Sequence, residues 1–140
     1  MSVHTVTWDG DFRFTGTTPD GRRSAFGPPA DKGGTAPTPM EMVLHALAAC
    51  TAWDVVSILQ RMRLPLEGLR VEIEADRADE HPRVFTAIRL RYVVRGDLPE
   101  NKVRRAVELS ANKYCSVSAM LKSTATVTYE IVQEAPAAGD

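Results

Sequence analysis

Two cysteines, Cys50 and Cys115, are the residues of this 140-residue chain best suited to covalent chemistry. A thiolate is a strong nucleophile, and two thiols can cycle through a disulfide. The pair is 65 positions apart, so only a fold can bring it together. Cys50 sits within Ala46-Leu47-Ala48-Ala49-Cys50-Thr51-Ala52-Trp53, an almost wholly apolar stretch. Free cysteine packs well as a small hydrophobe, and apolar surroundings raise a thiol's pKa. A nucleophilic Cys50 therefore needs a cationic or hydrogen-bonding group beside it. Cys115 follows Tyr114 and precedes Ser116, a candidate N-cap, between two predicted helices. The dipole at a helix N-terminus favours thiolate. A buried junction cysteine accounts for the same position equally well.

Other chemistries find less support. The candidate metal ligands are Cys50, Cys115, His4, His45 and His81, but the chain has no Cys-x-x-Cys. His45 is five positions before Cys50, outside the spacing of three or four that puts two ligands on one helix face. No metal and no cofactor are expected. There is no Gly-x-Ser-x-Gly elbow, and Gly33-Gly34-Thr35 lacks the spacing of a phosphate-binding loop. Asp54 lies four residues after Cys50, one turn along the same face. Left unpaired, its carboxylate would raise the Cys50 pKa; it could instead anchor an arginine or bond a partner subunit.

The elements that must position these residues are legible. Val3 to Trp8 and Asp11 to Thr17 read as short strands, and Pro19-Asp20-Gly21 as a turn that pairs Arg22 to Phe26 back as a hairpin. Gly27 to Pro37 is a Gly- and Pro-rich loop. Thr38-Pro39-Met40-Glu41 then carries three helix-start signals: an N-cap threonine, a proline at the first helical position and a glutamate closing a capping box. Apolar residues dominate to Met62, and Ala46 to Trp53 is apolar nearly all round, as in a helix buried in a core or an interface. Leu64-Pro65 ends it. Leu69 to Ala75 and Val84 to Val94 alternate as an antiparallel pair, the latter with Val84, Ile88, Leu90, Tyr92 and Val94 on one face. A helix from Leu98 to about Lys113, a short one over Ser116 to Leu121 and a strand from Thr124 to Val132 complete an α+β pattern. The reading is one domain over residues 1–134, with a loose tail over 135–140.

Composition bounds the partners. Hydrophobic residues at 44% and charged residues at 25% are ordinary for a globular domain. A net charge of -1 offers no field for nucleic acid or an anionic membrane, and the basic Lys102 to Arg105 stretch is offset by Glu100 and Glu108. No secretory signal is visible, and no apolar run is read as approaching the roughly 18 residues of a membrane span. The expected location is cytoplasmic, where the reducing milieu makes a merely structural disulfide a poor expectation.

Two blocks carry a resemblance. Pro37-Thr38-Pro39-Met40-Glu41 leads to Cys50 and then Ala52-Trp53-Asp54-Val55-Val56-Ser57-Ile58-Leu59. Arg105-Ala106-Val107-Glu108-Leu109-Ser110 runs into Lys113-Tyr114-Cys115-Ser116-Val117-Ser118. In these blocks, and in layout over nearly its whole length, the chain resembles the OsmC/Ohr superfamily, most closely the YhfA-like branch. The resemblance implies an OsmC-like fold, with antiparallel strands around a long buried helix, in an intertwined homodimer with sites at the interface. It further implies a two-cysteine peroxidase that reduces organic hydroperoxides or hydrogen peroxide in oxidative stress defence. Cys50 would be the peroxidatic and Cys115 the resolving cysteine, with a dithiol reductant of lipoyl or thioredoxin type and no metal or flavin. An apolar pocket around Cys50 would favour alkyl peroxides. The family carries a glutamate ten positions before the reactive cysteine, where it steadies an arginine from the N-terminal strands. Here that position is Met40, and Glu41 is nine before Cys50, where its capping role is also sufficient. Arg22 and Arg23, with Arg13, are the candidates for the arginine. The competing reading is a redox-sensing or apolar-ligand-binding protein of the same fold with little turnover; a purely structural dimer is the third.

Overall fold

The computed structural model describes residues 2–138, and its chain contacts divide it into two compact units, Met1–Val43 and Leu44–Asp140. In the first unit, β1 (Thr5–Trp8), β2 (Phe14–Thr17) and β3 (Arg23–Phe26) form an antiparallel sheet in chain order. The expected turn at Pro19-Asp20-Gly21 closes the second hairpin. Thr18 N–H donates to the Arg22 carbonyl at 2.9 Å, and Gly21 takes φ 94°, which a side chain would resist. The loop that follows contains only a single 3-10 turn, Ala30–Lys32.

Helix α1 (Pro39–Arg61) starts where its capping signals place it. Glu41 N–H donates to Thr38 Oγ1 at 3.2 Å, and Thr38 N–H donates to Glu41 Oε1 at 3.0 Å. Both halves of the capping box are formed.

In the second unit, β4 (Leu66–Arg77) and β5 (Phe85–Gly96) make the expected antiparallel hairpin. The third strand, β6 (Thr126–Glu134), pairs with β5 in parallel, Ala87 opposite Thr126 through Arg95 opposite Glu134. A parallel neighbour cannot be reached by a tight turn. The crossover is made by α2 (Glu100–Leu109), a π-turn (Ser110–Tyr114) and α3 (Ser116–Leu121). Ile88, Leu90, Tyr92 and Val94 of β5 are buried as the alternation predicts, joined by Val103, Ala106 and Val107 of α2. Each Val, Leu or Ile side chain among them contributes about 1.5–3 kcal/mol on burial. Val84 departs from the expectation: it precedes the strand and is exposed.

Within the chain, α1 is buried along one stripe only, Leu47, Thr51, Val55 and Leu59, at the four-residue spacing of a single face. Ala46, Ala49 and Trp53 are exposed, Trp53 at 78%. The expectation that nothing approaches membrane length needs correction. α1 has 23 residues and is long and apolar enough to cross a membrane by length and composition alone. Its charged and polar interruptions hide an average raised by Ala, Leu and Val. Residues 135–138 of the expected tail have no regular structure, and residues 139 and 140 lie outside the described residues.

Candidate active site

Cys50 lies half-buried near the middle of α1, and Cys115 is buried where the π-turn gives way to α3. The fold brings these two together. The Cys50 thiol lies close enough to the Cys115 thiol to raise its pKa, and both cysteines are free. A pair 65 positions apart in sequence is thus adjacent in space.

The local backbone holds Cys115 firmly. Its N–H donates to the Ser110 carbonyl at 2.9 Å, five residues back, and closes the π-turn. Such turns inside helices recur at functional sites. Cys115 itself, rather than Ser116, is the N-cap of α3, and its sulfur accepts from Ser118 N–H at 3.4 Å. That bond favours thiolate, as the helix-terminus argument anticipated. Burial outweighs it. Desolvation, together with Cys50 and the Asp54 carboxylate, pushes the Cys115 thiol up to about 11. The expected thiolate tendency at this helix start is therefore reversed, and Cys115 stays protonated at neutral pH.

A buried chain of hydroxyls that the sequence reading missed joins α1 to the π-turn. Ser110 Oγ donates to Asp54 Oδ2 at 2.8 Å. Thr51 Oγ1 is 2.8 Å from Ser110 Oγ and 2.6 Å from the Tyr92 hydroxyl. A carboxylate only accepts, so the single hydroxyl proton on each member fixes the direction. Tyr92 donates to Thr51, Thr51 to Ser110 and Ser110 to Asp54. This settles the place of Asp54 within the chain: it receives Ser110. Burial pushes the Tyr92 hydroxyl up to about 12. One signal was available in the sequence: Thr51 and Asp54 are the polar residues of an apolar stretch, three apart and hence on one face. Nothing local pointed to Ser110 or Tyr92 as their partners.

Two clefts of the second unit lie elsewhere or alongside. One of about 500 Å³ is lined by Glu72, Glu74, Arg89, Arg91 and Tyr129 among others, and by neither cysteine. Its charges are paired across strands, Arg89 forking onto Asp76 at 3.0 and 3.1 Å. A small chamber of about 60 Å³ touches Thr51, Tyr92, Ser118 and Lys122, beside the hydroxyl chain. Among the described residues, no group of three or more His, Cys, Asp and Glu gathers as metal ligands would.

The other predicted site residues lie in the first unit. Arg22, just before β3, pairs with Asp20 at 3.1 Å. Arg23 opens β3 opposite Thr17 and is exposed. Arg13 pairs with Asp11 at 3.8 Å. Glu41 occupies the capping box.

Residues 31–130 match the family model described as OsmC-like protein. Protein YhfA of Escherichia coli K12 is 43% identical over 130 residues, covering 91% of this chain and 96% of its own. An OsmC-like protein from Mycoplasma pneumoniae superposes with TM-score 0.82 at 13% identity, over 95% of this chain and 96% of the other. The organic hydroperoxide resistance protein OhrB of Bacillus subtilis does so with TM-score 0.63 at 20% identity, over 94% and 97%. These two structures share the fold.

Proposed function

Because this chain belongs to the OsmC-like protein family, we propose that it is a thiol-dependent peroxidase for organic hydroperoxides or hydrogen peroxide, acting in oxidative stress defence. The observation that carries this is the adjacency of a half-buried thiol and a buried one, Cys50 and Cys115. The two differ in exposure. Cys50, the more accessible, attacks the terminal peroxide oxygen. The O–O bond breaks, the sulfur is oxidised to sulfenic acid, and the alkoxide leaves as alcohol after taking a proton. Cys115, kept as a thiol by burial, then attacks the Cys50 sulfur. Its proton joins the departing hydroxide as water, and a disulfide remains. A dithiol reductant of lipoyl or thioredoxin type reopens it by exchange.

Activation of Cys50 is assigned to an arginine of the N-terminal strands, Arg22 or Arg23, with Glu41 to steady it. The active form is an intertwined homodimer in the cytoplasm, with an apolar peroxide pocket completed at the interface. The exposed Ala46, Ala49 and Trp53 on α1 support a second copy, since their spacing makes one apolar stripe.

The test is a dithiol-coupled peroxide assay with thiol counting. Peroxide should consume two thiols per chain, and Cys50→Ser should abolish turnover. Full turnover in that variant would defeat the reading. A second reading, a low-turnover redox sensor or binder of apolar ligands, draws on the raised Cys115 pKa, which slows resolution. It would show as slow oxidation with retention of an apolar thiol or acyl ligand.

A further inference from the structure

The hydroxyl chain bridges the two elements that carry the cysteines. Thr51 directly follows Cys50 on α1, and Ser110 supplies the carbonyl that holds the Cys115 N–H. Ser110 is wholly buried, and its hydroxyl is the one atom bonded to both polar residues of the α1 face, Thr51 and Asp54. A π-turn has an extra residue per turn and places Cys115 where an uninterrupted α-helix would not. From this geometry we infer that Ser110, gripped by Thr51 and Asp54, is the positioning residue for the resolving step: it pins the π-turn to α1 so that the Cys115 sulfur stays in line with Cys50.

The inference rests on the reading that Cys115 resolves what Cys50 has attacked. In-line attack at sulfur is sensitive to placement, and a misplacement of about 1 Å can cost two orders of magnitude. Ser110 touches no reacting atom. Its contribution should appear only in the step that Cys115 performs, whatever species Cys50 carries.

That property allows a test without peroxide. One equivalent of dithiobis(nitrobenzoate) per chain is mixed with the reduced full-length protein. Cys50 attacks the reagent's disulfide, releasing one nitrothiobenzoate and keeping the other in a mixed disulfide. Cys115 then displaces the second, losing its proton to solvent as the Cys50–Cys115 disulfide forms. The two releases are separate colour phases. In Ser110→Ala, the second phase should slow by roughly tenfold or more while the first stays within about twofold. Thr51→Val should do the same, and Thr51→Ser, which restores the hydroxyl, should recover the second phase. A second phase unchanged in both Ser110→Ala and Thr51→Val would overturn the inference. So would equal slowing of both phases, or failure of Thr51→Ser to recover where Thr51→Val is slow, because general loosening would then be the explanation. A protein inert to hydroperoxides yet biphasic with this reagent would defeat the peroxidase reading and leave Ser110's role intact.

Discussion

Burial sets the acid–base behaviour of two groups at the site, Cys115 and Tyr92. Cys115 is pushed from an ordinary 9.0 to about 11, and Tyr92 from 10.0 to about 12, in each case chiefly by desolvation. The sign for stability follows from linkage. In both, the folded state holds its proton to higher pH than the unfolded chain does. Each contribution is therefore complete below the unfolded value and is lost as pH climbs, between 9 and 11 for Cys115 and between 10 and 12 for Tyr92. Stability should fall through each window. Denaturant unfolding at pH 8 and at pH 11 should show the drop. Tyr92→Phe should cost about 1 kcal/mol at pH 8, through its bond to Thr51, and should flatten the upper part of the alkaline decline. An unaltered pH profile in that variant would mean that Tyr92 does not titrate with unfolding.

Among the elements, α1 carries two kinds of stabilisation that mutation can separate. Its start rests on the Thr38–Glu41 capping box, where removal of the threonine hydroxyl costs about 1 kcal/mol. Its middle rests on packing. Leu47 is wholly buried, and truncation leaves a cavity that the surrounding structure fills only in part. Thr38→Ala should thus lower unfolding free energy by about 1 kcal/mol, and Leu47→Ala by about 2–5 kcal/mol. Equilibrium denaturation of the two variants checks the order. A reversal would place the helix's stability in its cap instead of its buried face. The parallel pairing of β5 and β6 has an element-scale consequence too. It makes α2, the π-turn and α3 an obligatory crossover, and so delivers Cys115 back to the helix that carries Cys50.

For the whole molecule, the apolar surface left on α1 bears on the proposed dimer. Trp53 is 78% exposed on a helix whose opposite stripe is the core. Large exposed apolar patches on a folded domain mark association surfaces. For the proposed dimer, Trp53→Glu, a charge set into that stripe, should favour monomer in sedimentation equilibrium without loss of helix content. A dimer that survives with unchanged affinity would place the interface elsewhere.

Much of this was written in local pattern. Strand alternation, the Pro19-Asp20-Gly21 turn, the capping box and the Leu64-Pro65 stop act over a few residues, so the element order and most boundaries follow from neighbours in the chain. The α+β class and the family likeness came with them. The tertiary structure alone decided the rest, because burial and adjacency are properties of residues remote in sequence. Only folding places Cys50 against Cys115, threads Tyr92, Thr51, Ser110 and Asp54 into one directed chain, and reverses the thiolate tendency of Cys115 by removing water from it. A dipole at a helix start can be read from spacing; the desolvation that overrides it cannot.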